Sequence, residues 1–184
     1  KMRADMIFSK VDPRDDPKVK PEYVKNEPMT TIYEMAHKTY PNMNIKSPAV
    51  WLPHGVLGVS TSEIIADETS GAFGPFAGQL FVGDQGMSKI ARVFLEKVNG
   101  QYQGASFDFR SGFRSGVLRM SWGTDKGMYV GGTNRGWGSV GKEDFGLERL
   151  VYTGKTPFEM KAVRAMPDGF EIEFTAPVDK KTAE

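Results

Sequence analysis

Apolar positions in this chain come in short runs closed by glycine, proline or asparagine. That pattern predicts a succession of short strands. Ala49-Val50-Trp51-Leu52 reads as a buried strand ending at Pro53, and Glu63 to Asp67 as another. Residues 69–78 hold three glycines and a proline, a loop packed down by Phe73 and Phe76. Gln79 to Gly83 is the first inner-strand candidate, Lys89 to Glu96 its antiparallel neighbour, and Tyr102 to Phe109 an outer strand beyond the Asn99-Gly100 turn, whose residues both tolerate positive φ. Val117 to Trp122, Met128 to Gly131 and Gly146 to Tyr152 repeat the scheme. Arg149 stands in the last of these as Arg92 stands in Lys89 to Glu96.

One cassette occurs twice. Gly78 to Gln85 (Gly-Gln-Leu-Phe-Val-Gly-Asp-Gln) returns as Gly127 to Asn134 (Gly-Met-Tyr-Val-Gly-Gly-Thr-Asn), with Tyr129 lying 48 residues after Phe81. A four-stranded propeller blade repeats at roughly 40–50 residues. The expected fold is therefore all-β: two to three blades of a partial β-propeller over residues 1–154, with an irregular insertion near 12–48. The insertion contains four prolines between Asp12 and Pro28. Before it, Met6-Ile7-Phe8 reads as a strand, and residues 30–40 read as a short helix stopped by Pro41. After Gly154 the rhythm changes. Residues 155–184 read as a linker and the first strands of a β-sandwich-like domain, a hairpin about Pro167-Asp168-Gly169 in which Phe170, Ile172 and Phe174 form a buried face.

Composition narrows the function classes. With 24 basic and 23 acidic side chains and a net charge of +1, nothing calls for nucleic acid. The 21 glycines and 11 prolines favour strands and turns over helix bundles, and the absence of cysteine excludes disulfides, thiolate metal sites and a cysteine nucleophile. No apolar run approaches the ~20 residues of a membrane-spanning segment. The first residue is Lys1, with neither an initiator methionine nor a signal peptide; the expectation is a chain that begins within a longer parent or after processing. The glycine-rich run 131–141 lacks the spacing of a phosphate loop, and no Gly-x-Ser-x-Gly elbow is present, which disfavours a hydrolase.

The strings Phe73-Gly74-Pro75-Phe76, Gly83-Asp84-Gln85, Arg92-Val93 and Glu96-Lys97-Val98-Asn99-Gly100 resemble the glucose/sorbosone dehydrogenase-like β-propellers of large bacterial proteins. So do Gly131-Gly132-Thr133-Asn134-Arg135-Gly136-Trp137-Gly138-Ser139 and Gly146-Leu147-Glu148-Arg149-Leu150, and the tail from Pro167 to Asp179 resembles the segment beyond the propeller in those proteins. The resemblance spans about Trp51 to Asp179. It implies a six-bladed ring of which this chain holds part, completed by the parent's remaining blades or by another subunit, and a periplasmic or secreted location. For the soluble quinoprotein members it implies pyrroloquinoline quinone, calcium and a small sugar substrate, oxidised by hydride transfer to the quinone while a histidine takes the hydroxyl proton.

In that light His54 is the candidate base, since histidine titrates near neutral pH; the other reading is a loop residue bonded to a carbonyl. Asp84, Gln85, Asn134, Arg135 and Trp137 lie after the two copies of the cassette or at their ends. A guanidinium fork suits a carboxylate of the quinone, and an indole stacks on a flat ring; equally, these loops can simply close the blade. No run of acids has the spacing of a calcium loop, so no residue is assigned to a metal. Two readings result: a sugar or aldose dehydrogenase, or a non-catalytic propeller serving as a binding or assembly module in an exported complex.

Overall fold

The computed structural model describes Lys38, residues 48–179 and Lys181. The strand expected at Met6-Ile7-Phe8 and most of the expected helix over 30–40 lie outside the described residues; Lys38, within that stretch, is helical. The described residues beyond Pro48 form nine strands: β1 (Thr61–Ala66), β2 (Leu80–Asp84), β3 (Lys89–Val98), β4 (Gln101–Ser111), β5 (Val117–Trp122), β6 (Met128–Thr133), β7 (Phe145–Leu150), β8 (Met160–Met166) and β9 (Gly169–Phe174). They form three antiparallel sheets, ordered β1-β2-β3-β4, β5-β6-β7 and β8-β9, none of them closed. The chain is thus all-β over its described body.

Turn chemistry sets the strand ends. Asn99 and Gly100 take φ of 49° and 82° and turn β3 into β4, a geometry for which asparagine and glycine carry the least steric cost. Lys126, at φ 62°, sits in the β5–β6 turn, where the Asp125 carboxylate accepts the Gly127 N–H at 3.1 Å. Ala49 to Leu52 is not a strand. These residues run as bends and irregular backbone, half-buried, with Trp51 O accepting a hydrogen bond from the Ser106 hydroxyl at 2.8 Å. The apolar run promised burial and got part of it without a ladder.

The cassette lies on the second strand of each meander. β1 precedes β2, and β5 precedes β6. The pairing registers nevertheless make the repeat structural. Phe81 faces Arg92 across β2–β3, and Tyr129 faces Arg149 across β6–β7; Gly83 faces Ile90 as Gly131 faces Leu147.

The core lies between the first two sheets, where β5 packs on β1 and β2. Phe73, Phe76, Phe81 and Ile90 come from the first, and Phe113, Val117, Met120, Met128 and Val130 from the second and its approach. Phe73 docks edge-on against Phe81 and Trp122 at centroid distances of 5.8 and 4.8 Å, so the glycine-rich loop is held down by its phenylalanines as expected. Gly83 permits the close approach. A Cβ there would stand 2.7 Å from Val117 Cγ1. Two polar bonds cross the same boundary: Trp122 Nε1–H donates to Ala66 O at 2.7 Å, and the Ser62 hydroxyl to Val117 O at 2.8 Å.

The hairpin β8–β9 is seated on β3 and β4. Its anchor is Arg92, fully buried, whose guanidinium lies between the rings of Phe76 and Phe107 at 3.9 and 4.4 Å. Nη1 donates to Lys161 O at 3.0 Å and to Gln79 Oε1, and Nη2 donates to Met160 O at 2.6 Å, with the Glu159 carboxylate 3.6 Å away. Burial lowers its pKa to about 10 against the pull of Glu159. The apolar alternation of β9 is covered only in part: Phe174 is half-buried and stacks on Phe158 at a centroid distance of 5.2 Å, whereas Phe170 is 76% exposed and Ile172 46%.

Candidate functional site

The structure brings the loops after β2 and β6 together. Asp84 is buried and acts as an anchor. Its Oδ2 accepts the N–H groups of Val59 and Ser60 at 2.8 and 2.7 Å, and its Oδ1 accepts that of Met87 at 2.7 Å. Gln85, also buried, reaches across: Nε2–H donates to Thr133 O at 3.2 Å and to Trp137 O at 2.7 Å. Ser88 continues the bridge, donating to the Ser139 hydroxyl at 2.9 Å and accepting the Gly141 N–H at 2.9 Å. Asn134 is the staple of its own loop, its Oδ1 accepting from Gly116 N–H and the Ser139 hydroxyl and its Nδ2–H donating to Gly141 O at 2.6 Å.

A third segment joins them. The turn at residues 53–58 brings His54 and Gly58 into a single parallel bridge, and Val56 O accepts from Lys89 Nζ at 3.0 Å. Gly86 lies against Val59, and Val140 N–H donates to Gly86 O at 3.1 Å. On this braced end stand exposed side chains: His54, Val56, Val59, Arg135, Trp137 and Val140, with the indole of Trp137 62% exposed. The Arg135 N–H is held by Thr133 Oγ1 at 3.0 Å, leaving its guanidinium outward.

The six candidate residues therefore divide. Asp84, Gln85 and Asn134 hold loops to loops, the closing role foreseen as the other reading, while His54, Arg135 and Trp137 face outward. Both Asp84 oxygens and the Asn134 amide are engaged by the chain itself, and among the described residues no three His, Asp or Glu side chains group as metal ligands. Two shallow cavities, of about 320 and 260 Å³, lie at Val56–Leu57 against β4 and β8 and between β3–β4 and the hairpin; none of the six residues lines them. No helix among the described residues is long and apolar enough to cross a membrane.

Two structurally decisive groups escaped the sequence reading. Arg92 had a usable signal, a lone arginine among Ile90, Ala91, Val93 and Phe94, where an unpaired charge is too costly to leave buried. Ser88 and Ser139 had none, because small polar residues in glycine-rich loops look alike whether bridged or solvated.

Compared with family models, with curated proteins and with solved structures, the chain matches none.

Proposed function

We propose that this chain is part of a β-propeller-type scaffold whose task is binding, with the braced loop end as its recognition surface and a small sugar as the ligand class. The observation that carries the reading is the union of the two post-strand loops by Gln85 and by the Ser88–Ser139 bond beneath an outward Trp137. Loops fixed on a rigid sheet are where recognition commonly resides. An indole held on such a loop loses little side-chain entropy on binding, and it offers a flat apolar face to a sugar ring. Arg135 and His54 supply hydrogen bonds to hydroxyls at its margin. The blade reading is supported by the four-stranded meander, by the shared register of the two sheets and by their stacking.

Tryptophan emission tests this. Of Trp51, Trp122 and Trp137, the last is the exposed one. Titration with mono- and oligosaccharides is expected to change emission in the wild type and not in Trp137→Ala. Arg135→Ala is expected to weaken the response about tenfold, the loss of one or two hydrogen bonds. A wild-type chain silent to every sugar overturns the reading. The dehydrogenase alternative draws on the same outward His54, Arg135 and Trp137. It is favoured instead if pyrroloquinoline quinone and calcium, added with a redox dye, give sugar-dependent dye reduction that His54→Ala abolishes.

A further inference from the structure

Four exposed apolar side chains stand on the braced loop end, and a sugar ring on Trp137 engages only one of them. Trp137 is 62% exposed, Val140 68%, Val56 62% and Val59 44%. The backbone of each valine is pinned. Val59 N–H donates to Asp84 Oδ2 at 2.8 Å, and Val140 N–H donates to Gly86 O at 3.1 Å. Val56 N–H donates to Pro53 O at 3.1 Å, and Val56 O accepts from the buried Lys89 Nζ at 3.0 Å. Gly86 joins two of the three. An added Cβ there would stand 3.1 Å from Cβ and Cγ1 of Val59, and the Gly86 carbonyl is the one that holds Val140. Val140 and Trp137 share the loop that Gln85 and Ser88 fix from beneath. Valine is stiff at χ1, so these side chains have little freedom left to lose when something covers them. They carry no group that bonds a hydroxyl, and a sugar ring seated on Trp137 leaves them in water.

We infer that the ligand of this end is a glycoside with an apolar aglycone, not a free sugar. The ring stacks on Trp137, and the aglycone lies on the strip that Val140 and Val59 form across Gly86, with Val56 beside it. The inference rests on the sugar-binding reading above and adds the second half of the ligand, together with the residues that select it. The size of the strip favours this occupant. Three valines about a glycine cover a short alkyl or aryl group, and they fall far short of the about 800 Å² per partner that a stable protein interface buries. Apolar surface taken out of water on both sides of the contact supplies the affinity.

Titration with the methyl, butyl and hexyl glycosides of glucose, galactose and mannose, below micelle-forming concentrations, tests this by tryptophan emission and calorimetry. Affinity is expected to rise about twofold per methylene, roughly thirtyfold from methyl to hexyl, since a chain lying on a surface buries one side only. In the double variant Val59→Ser with Val140→Ser the rise is expected to shrink to a few-fold. Val151→Ser, an exposed valine at the other end of β7 from the loop, is expected to keep it. A methyl glycoside that binds with no gain along the series overturns the inference and leaves the sugar surface standing. A gain that survives the double serine variant also overturns it. So does a mass that halves when the two serines are introduced, which would put a second copy on the strip. Plain alkanols that bind as tightly as glycosides of equal chain length would instead sink the sugar reading and leave the apolar seat in place.

Discussion

Gly83 and Gly131 occupy one position in the repeat and differ in what faces them. Adding a methyl at 83 pushes it to 2.7 Å from buried Val117 Cγ1 and 3.0 Å from Ser62 Oγ. Overpacking of that kind costs about 1–3 kcal/mol. At 131 the methyl meets only Arg119 at ordinary contact distance, 3.8 Å from its O and 3.9 Å from its Cβ, and the change is expected to stay within about 0.5 kcal/mol. Chemical denaturation of Gly83→Ala and Gly131→Ala checks the difference, and equal losses would contradict it. The same contrast shows what a sequence conceals at this scale. Both glycines were visible as the close of a repeated cassette, but the clash that makes one indispensable comes from a strand far along the chain. Asp84 and Asn134 were likewise visible as polar residues after strands. That their oxygens were taken by Val59, Ser60, Met87 and Gly116 depends on loops meeting in space.

Among the elements, the hairpin β8–β9 holds one depressed carboxyl at its seat and another across its own strands. Glu96 at the far end of β3 accepts the Ala165 N–H at 2.9 Å, and Glu173 accepts Lys161 Nζ and Arg164 Nη2, both at 2.7 Å. The Ala165 amide, then Gln103, holds the Glu96 carboxyl below the ordinary value of about 4.5, and Lys161, then Arg164, does the same for Glu173. A carboxylate whose folded pKa is depressed stabilises the fold above its unfolded pKa and loses that contribution as pH falls through the folded one. Amide protection, corrected for the intrinsic slowing of exchange in acid, is therefore expected to fall in β8 and β9 below about pH 4.5 while that of β2 holds. Protection factors at about pH 6 and about pH 3.5 check this, and a uniform fall across all sheets would refute it. Strand placement was largely legible in the sequence, because alternation and the turn residues Asn99-Gly100 and Pro167-Asp168-Gly169 act locally. Two element-level readings held only in part. Ala49 to Leu52 and the β9 face were judged from apolarity, but a ladder or a buried face also depends on what packs opposite: Ala49 to Leu52 are half-buried without a ladder, and on β9 Phe174 stacks on Phe158 while Phe170 and Ile172 are exposed.

Over the described body as a whole, a four-stranded and a three-stranded sheet share one core, a hairpin flanks them, and the outer faces of β7 and β9 remain open. Phe145, Leu147 and Phe170 make these faces strongly apolar, beyond the scattered exposed side chains normal for a surface. The 184-residue chain is expected to raise the emission of an apolar surface dye, and Phe145→Lys with Leu147→Lys to remove most of that rise. An unchanged signal in the double variant would place the dye elsewhere. The seat of the hairpin has a different kind of consequence. Arg92 grips the carbonyls of Met160 and Lys161, which every amino acid possesses, and Gln79 Nε2 takes the Lys161 carbonyl as well at 2.9 Å. Such a clasp does not read the side chains of Met160 and Lys161. The hairpin is accordingly a graft site: a foreign β-ribbon of matching length that keeps Glu159 and a small residue at the buried Ala162 position is expected to find the same anchorage.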